Sequence, residues 1–208
     1  MIKIKLCGLR RLCDIEYANE LHPEYVGFVF AKESKRYISP EDAYTLRKHL
    51  NSGILPVGVF RNDDMKVILE LANAGTIDII QLHGNEDEEY MGQLRSLTDA
   101  TIIKAFQIKS ILDINKANEC TADFVILDSS GGSGETFDHS LISNMKRDYF
   151  LAGGMSVGNI TEIIKNFRPF AVDVSSAIEN VSGYKDKEKM AEFVSAVRKA
   201  DRYDKYKR

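Results

Sequence analysis

The apolar positions fall into two alternating kinds of segment. Short runs rich in Val, Ile, Leu and Phe occur at Ile2–Leu6, Val26–Phe30, Leu55–Phe60, Ile77–Leu82, Thr101–Phe106, Asp123–Leu127, Tyr149–Ala152 and Phe170–Val174. Their length and composition suit strands buried on both faces. Between them the apolar residues recur at helical spacing: Leu12, Ile15, Ala18 and Leu21 share one stripe, as do Met190, Phe193, Val194 and Val197. Ser39 followed by Pro40, Glu41 and Asp42 reads as a capped helix start. Asn62 is expected to cap a helix carrying Val67, Ile68 and Leu71, and Asn85 one that opens with Glu86, Asp87, Glu88 and Glu89. The fifth helix, around Ile111 to Lys116, reads as short and weak, and the charged stretch from Lys199 to Arg208 as a frayed helix end.

Eight strand-loop-helix units in 208 residues leave about 26 residues each, close to the minimum for a parallel crossover unit. No linker or composition break interrupts them, so residues 1–208 are expected to form one α/β domain. Eight units point to a closed (β/α)₈ TIM barrel, with a doubly wound open sheet as the alternative.

Composition narrows the function. A net charge of −3 gives no electrostatic reason for nucleic acid or an anionic membrane as partner. No apolar run reaches membrane-spanning length, and the first residues enter strand alternation directly, so no signal peptide is read. Cys7, Cys13 and Cys120 are odd in number and lack zinc or redox spacing, which fits free thiols in the cytoplasm.

In a parallel barrel, chemistry gathers at the carboxyl ends of the strands. The residues just past the expected strands are Cys7, the loop from Lys32 to Arg36, Arg61, His83, Gln107, Asp128, Gly153–Gly154 and Ser175–Ser176. Asp128 follows a rigid apolar run and precedes a Gly/Ser loop, the setting an acid needs at a reaction site. Two Gly/Ser strand ends side by side can offer backbone amides to a phosphate. Cys13 and Cys120 read as small packed side chains.

Those residues, in their order, resemble the phosphoribosylanthranilate isomerase family of tryptophan synthesis. The resemblance rests on Lys-Leu-Cys-Gly-Leu-Arg at 5–10, Gly-Phe-Val-Phe at 27–30 with the 34–39 segment after it, and Gln-Leu-His-Gly-Asn-Glu at 81–86. It continues through Gly-Gly-Ser-Gly at 131–134, Leu-Ala-Gly-Gly at 151–154, Val-Asp-Val-Ser-Ser at 172–176 and Gly-Tyr-Lys-Asp at 183–186. Against the family pattern, His139 stands where many members have Trp, Val157 where Pro is common, and Ala177 where Gly is usual. The resemblance implies a (β/α)₈ barrel and an Amadori rearrangement of a phosphorylated small molecule, with no metal or organic cofactor. It implies Asp128 as general acid, Cys7 as general base, and Arg36 as partner of the anthranilate carboxylate. His83 is implied as substrate contact or loop support, and Asp173 as acceptor of a sugar hydroxyl. Gly153, Gly154, Ser175 and Ser176 are implied to hold the phosphate, with Gly131–Gly134 as a mobile cover. A monomer or homodimer is expected. Another sugar-phosphate enzyme on the same barrel, and a silent ligand-binding barrel, remain the competing readings.

Overall fold

A computed structural model describes residues 1–128 and 139–205. The strands are β1 (Lys3–Cys7), β2 (Tyr25–Val29), β3 (Leu55–Phe60), β4 (Ile79–Leu82), β5 (Thr101–Gln107), β6 (Phe124–Asp128), β7 (Tyr149–Ala152) and β8 (Ala171–Val174). They are parallel and close in chain order, with β1 returning onto β8. The open-sheet alternative is thereby removed. The helices are α1 (Leu12–Leu21), α2 (Pro40–Arg47), α3 (Met65–Asn73), α4 (Glu88–Arg95), α5 (Ile111–Glu119), α6 (Ile160–Phe167) and α7 (Lys187–Lys205). Among the described residues, a 3₁₀ segment, His139–Asn144, precedes β7 where an eighth α-helix was expected.

Strand parity sorts the side chains. Outward residues such as Ile4, Leu6, Ile80, Leu82 and Leu127 pack under the helices together with Ile163 and Phe193. Inward residues Tyr25, Val57, Ile79, Ile103, Ile126 and Phe150 fill the barrel. Phe124 stacks on Phe170 at 4.7 Å and meets Phe150 edge-on at 5.8 Å, which plugs the interior with aromatic carbon. A second inward group, Cys7, Val29, Ala31 and Val59, packs together and lines a cavity. The barrel is therefore solid except where polar side chains replace this filling.

Two expected caps are corrected. α3 is capped by Asp64, which accepts from Lys66 N–H at 2.9 Å. α4 is capped by Asp87, which accepts from Tyr90 N–H at 2.9 Å. Asn62 instead adopts φ +56°, and its side-chain oxygen accepts from Asn85 N–H at 2.6 Å. A residue in that left-handed conformation ends the strand and turns the chain; it does not start a helix. Glu86 turns inward, accepting from Asn62 N–H at 2.6 Å and from Gly84 N–H at 2.8 Å, and pairing with Lys104 at 3.1 Å. These contacts join the loops after β3 and β4 into one rim. α5 is longer than expected, and Asp113 accepts from Ser110 N–H at 2.9 Å and from its hydroxyl at 3.0 Å.

Candidate active site

β1 ends at Cys7, one residue later than the sequence pattern set it, and Lys5 shares its inward face. Across the ladder Cys7 lies opposite Gly27, where a Cβ would stand 2.7 Å from the Cys7 sulfur. Gly27 thus makes room for the thiol. Lys5 is fully buried, with Nζ 3.0 Å from Asp173 Oδ1 and in contact with Cys7. Burial works against the ammonium charge, but Asp173 and Cys7 hold the Lys5 pKa above its ordinary value. Burial pushes the Cys7 thiol up; Lys5 and Lys185 pull it down and Asp173 pushes it further up. Burial thus favours the thiol, while the neighbouring Lys5 and Lys185 favour its ionised form. Ser175 closes the loop by donating its hydroxyl to the Cys7 carbonyl at 3.0 Å.

Asp128 is the last residue of β6 and faces the cavity from the opposite side of the barrel mouth, across β7 and β8. Its carbonyl accepts from Ile108 N–H at 3.1 Å, which anchors the strand end. His83 Nε2 stands 3.6 Å from Asp128 Oδ2, and His83 Nδ1 lies 2.9 Å from Gln81 Nε2.

Arg36 reaches the cavity across Gly8, whose φ of +83° and missing side chain leave the space; a Cβ there would lie 2.5 Å from Arg36 Cδ. The guanidinium is gripped by Glu179, with Nε–Oε1 at 2.5 Å and Nη2–Oε2 at 2.9 Å. Lys185, buried, donates to the same carboxylate at 2.6 Å and to the Ser175 carbonyl at 3.0 Å. Burial raises the cost of the Glu179 charge, yet Arg36 and Lys185 hold its pKa below the usual carboxylate range. After β7, Gly153 and Gly154 have φ of +84° and +63°, a turn L-side chains resist, and the Gly154 carbonyl accepts from Asn159 Nδ2 at 2.8 Å just before α6. Ser175 and Ser176 lead from β8 into a short 3₁₀ turn, Ser176–Ile178.

All of Cys7, Arg36, His83, Asp128, Gly153, Gly154, Asp173, Ser175 and Ser176 line one cavity of about 510 Å³. Arg61 lines it too, whereas Gln107 lines an adjoining depression that shares Arg61, His83 and Asp128. The Gly131–Gly134 loop lies outside the described residues. The profile of the family described as N-(5'-phosphoribosyl)anthranilate (PRA) isomerase matches residues 4–196. A curated N-(5'-phosphoribosyl)anthranilate isomerase from Caldanaerobacter subterraneus subsp. tengcongensis is 43% identical, covering 95% of this chain and 98% of its own.

The chain belongs to the N-(5'-phosphoribosyl)anthranilate isomerase family.

It is an isomerase of tryptophan biosynthesis. Among solved PRA isomerase structures, monomers generated from the dimeric enzyme of Thermotoga maritima superpose with a TM-score of 0.83 at 34% identity, covering 95% of this chain and 99% of theirs. A PRA isomerase in complex with reduced 1-(o-carboxyphenylamino)-1-deoxyribulose 5-phosphate gives 0.84 at 34% identity, covering 96% of this chain and all 100% of its own.

Reading the strand ends for chemistry missed four groups in this PRA isomerase: Lys5, Gln81, Glu179 and Lys185. Lys5 and Gln81 lie inside strands and two positions before Cys7 and His83 respectively, so parity alone puts each pair on one face. That signal was available. Glu179 and Lys185 sit in the connection before α7 and reach the site through an isolated bridge between them. Nothing in local spacing announces that contact.

Proposed function

We propose that the cavity carries out the isomerisation of N-(5'-phosphoribosyl)anthranilate with Asp128 as general acid and Cys7 as general base. The observation that carries this reading is the meeting of both groups, with the cations around them, in one cavity at the carboxyl ends of the strands. Asp128, protonated, gives its proton to the furanose ring oxygen as the C1′–O bond breaks and the nitrogen lone pair forms the C1′=N bond. Cys7, as thiolate, takes the C2′ proton, and its electron pair moves to give the enolamine. Protonation at C1′ and loss of the enol proton give the 2′-ketone. No atom is gained or lost, and no redox partner is needed.

Arg36 takes the anthranilate carboxylate. A guanidinium has five N–H donors, so a second carboxylate can join while Glu179 holds the fork in place. Gly153, Gly154, Ser175 and Ser176 take the phosphate through backbone amides and hydroxyls near the start of α6. Asp173 accepts a sugar hydroxyl with a lone pair that Lys5 leaves, and His83 stands beside the acid. We infer that residues 1–208 act as one domain, in the cytoplasm, as monomer or homodimer. Three free cysteines support that compartment, and no helix among the described residues is long and apolar enough to cross a membrane. The test is steady-state turnover: Cys7→Ser and Asp128→Asn should each lose about 10²–10⁴-fold in kcat, while Cys13→Ser and Cys120→Ser stay active. A fully active Cys7→Ser would make the thiol structural.

A further inference from the structure

Gln81 belongs to no part of the mechanism above, yet it is a buried polar side chain that lines the cavity. It is 1% exposed on the inward face of β4, two residues before His83. Its Nε2 lies 2.9 Å from His83 Nδ1, and its Oε1 is buried with no hydrogen-bond partner. On the far edge of the same imidazole, Nε2 stands 3.6 Å from Asp128 Oδ2. The three groups form a row from the middle of β4 to the end of β6.

A neutral imidazole has one donor nitrogen and one acceptor nitrogen. An amide NH₂ at Nδ1 can only donate, so Nδ1 must accept and the proton must sit on Nε2. That proton then points at the Asp128 carboxyl. Turning the amide over would put its oxygen at Nδ1 and demand a proton there. Once Asp128 has given up its proton, the Nε2 lone pair would then face a carboxylate oxygen, acceptor against acceptor, and two amide hydrogens would be buried without partners in place of one oxygen. The arrangement with Nε2–H toward Asp128 is the one in which donor and acceptor match along the row after the acid step.

We infer that Gln81 is a positioning residue for the acid step: its amide fixes His83 in the Nε2–H tautomer, and that N–H receives the carboxylate that forms when Asp128 gives up its proton. The inference rests on the reading of Asp128 as acid. The contact at 3.6 Å is just beyond hydrogen-bond length, and catalytic contacts of this kind tighten when the substrate is bound. The proton itself goes from Asp128 to the ring oxygen; His83 and Gln81 transfer none.

The test reads the tautomer directly, without activity. The chain has four histidines, so the His83 signals in a ¹⁵N-resolved spectrum of the whole protein are assigned by their loss in His83→Asn. At about pH 8.5, where an ordinary imidazole is neutral, Nε2 should carry the proton and Nδ1 should give the unprotonated, pyridine-type signal. Gln81→Glu places an acceptor at Nδ1 and should move the proton there. Gln81→Leu should leave a tautomer mixture and lower kcat by about tenfold or more, less than the 10²–10⁴-fold for loss of the acid itself. Wild-type protein with its proton on Nδ1, or Gln81→Leu with both tautomer and kcat unchanged, would overturn the inference. Failure of the Asp128 reading would appear separately, as activity retained in Asp128→Asn.

Discussion

Lys5→Met should cost this enzyme both stability and the thiolate form of its base at neutral pH. Lys5 is fully buried, and its ammonium lies 3.0 Å from Asp173, whose side chain is only 10% exposed. Methionine fills nearly the same volume, so little packing is lost. What remains is a carboxylate without its cation in a confined place. Breaking a buried pair by removing one partner costs about 3–5 kcal/mol, and the neighbouring cavity places this case near about 3. For a chain of this length, that is a fall in Tm of roughly 6–12 °C. The effect on the reaction is separate. Burial already raises the Cys7 thiol, and Lys5 is the leading influence that opposes it. Without Lys5 the thiol pKa moves further up, so less thiolate exists at pH 7. Each pKa unit costs about tenfold in the basic form. The acid limb of kcat/KM should therefore shift to higher pH, with at least tenfold lost at pH 7 and partial recovery above about pH 9. Thermal unfolding and pH-rate profiles of Lys5→Met, Asp173→Asn and the double variant separate the two. The double variant should regain most of the stability but not the low-pH activity. An unshifted acid limb in Lys5→Met would refute the coupling between Lys5 and the thiol.

Arg36→Ala should raise KM more than it lowers kcat, because the guanidinium acts on a carboxylate remote from the reacting carbons; about 1.5–3 kcal/mol corresponds to roughly 10- to 150-fold. Unchanged KM would remove Arg36 from substrate binding. Inorganic phosphate at about 100 times its dissociation constant should stabilise the fold by about 2.7 kcal/mol through the loops at Gly154 and Ser176. A thermal scan with no shift in saturating phosphate, and no density at those loops in a phosphate-soaked crystal, would count against that cup.

The barrel was legible because its strands and helices repeat with two clean periods. The candidate site was legible because barrel geometry sends chemistry to strand ends, where Cys7, His83 and Asp128 stand. What the chain order hid has physical reasons. Asn62 looked like a cap, but its left-handed backbone serves the link to Asn85 and Glu86, and the cap passes to Asp64. Glu86 looked like one acid of a helix start, yet it is a buried partner of Lys104 eighteen residues on. Lys5 reads as an ordinary strand-edge lysine until closure of β1 against β8 sets Asp173 beside it. Arg36 meets Glu179 across a separation of 143 positions, a distance no local pattern can carry.

The most direct test of the acid and base assignment is a single turnover of freshly generated phosphoribosylanthranilate with borohydride present to reduce any ring-opened imine. In Cys7→Ser the acid is intact and the base is not, so the ring should open and the reduced imine should accumulate while no ketone forms. In Asp128→Asn the ring should stay closed, leaving unreacted substrate and neither reduced imine nor ketone. Trapped imine in Asp128→Asn together with none in Cys7→Ser would contradict the assignment and reverse the two roles.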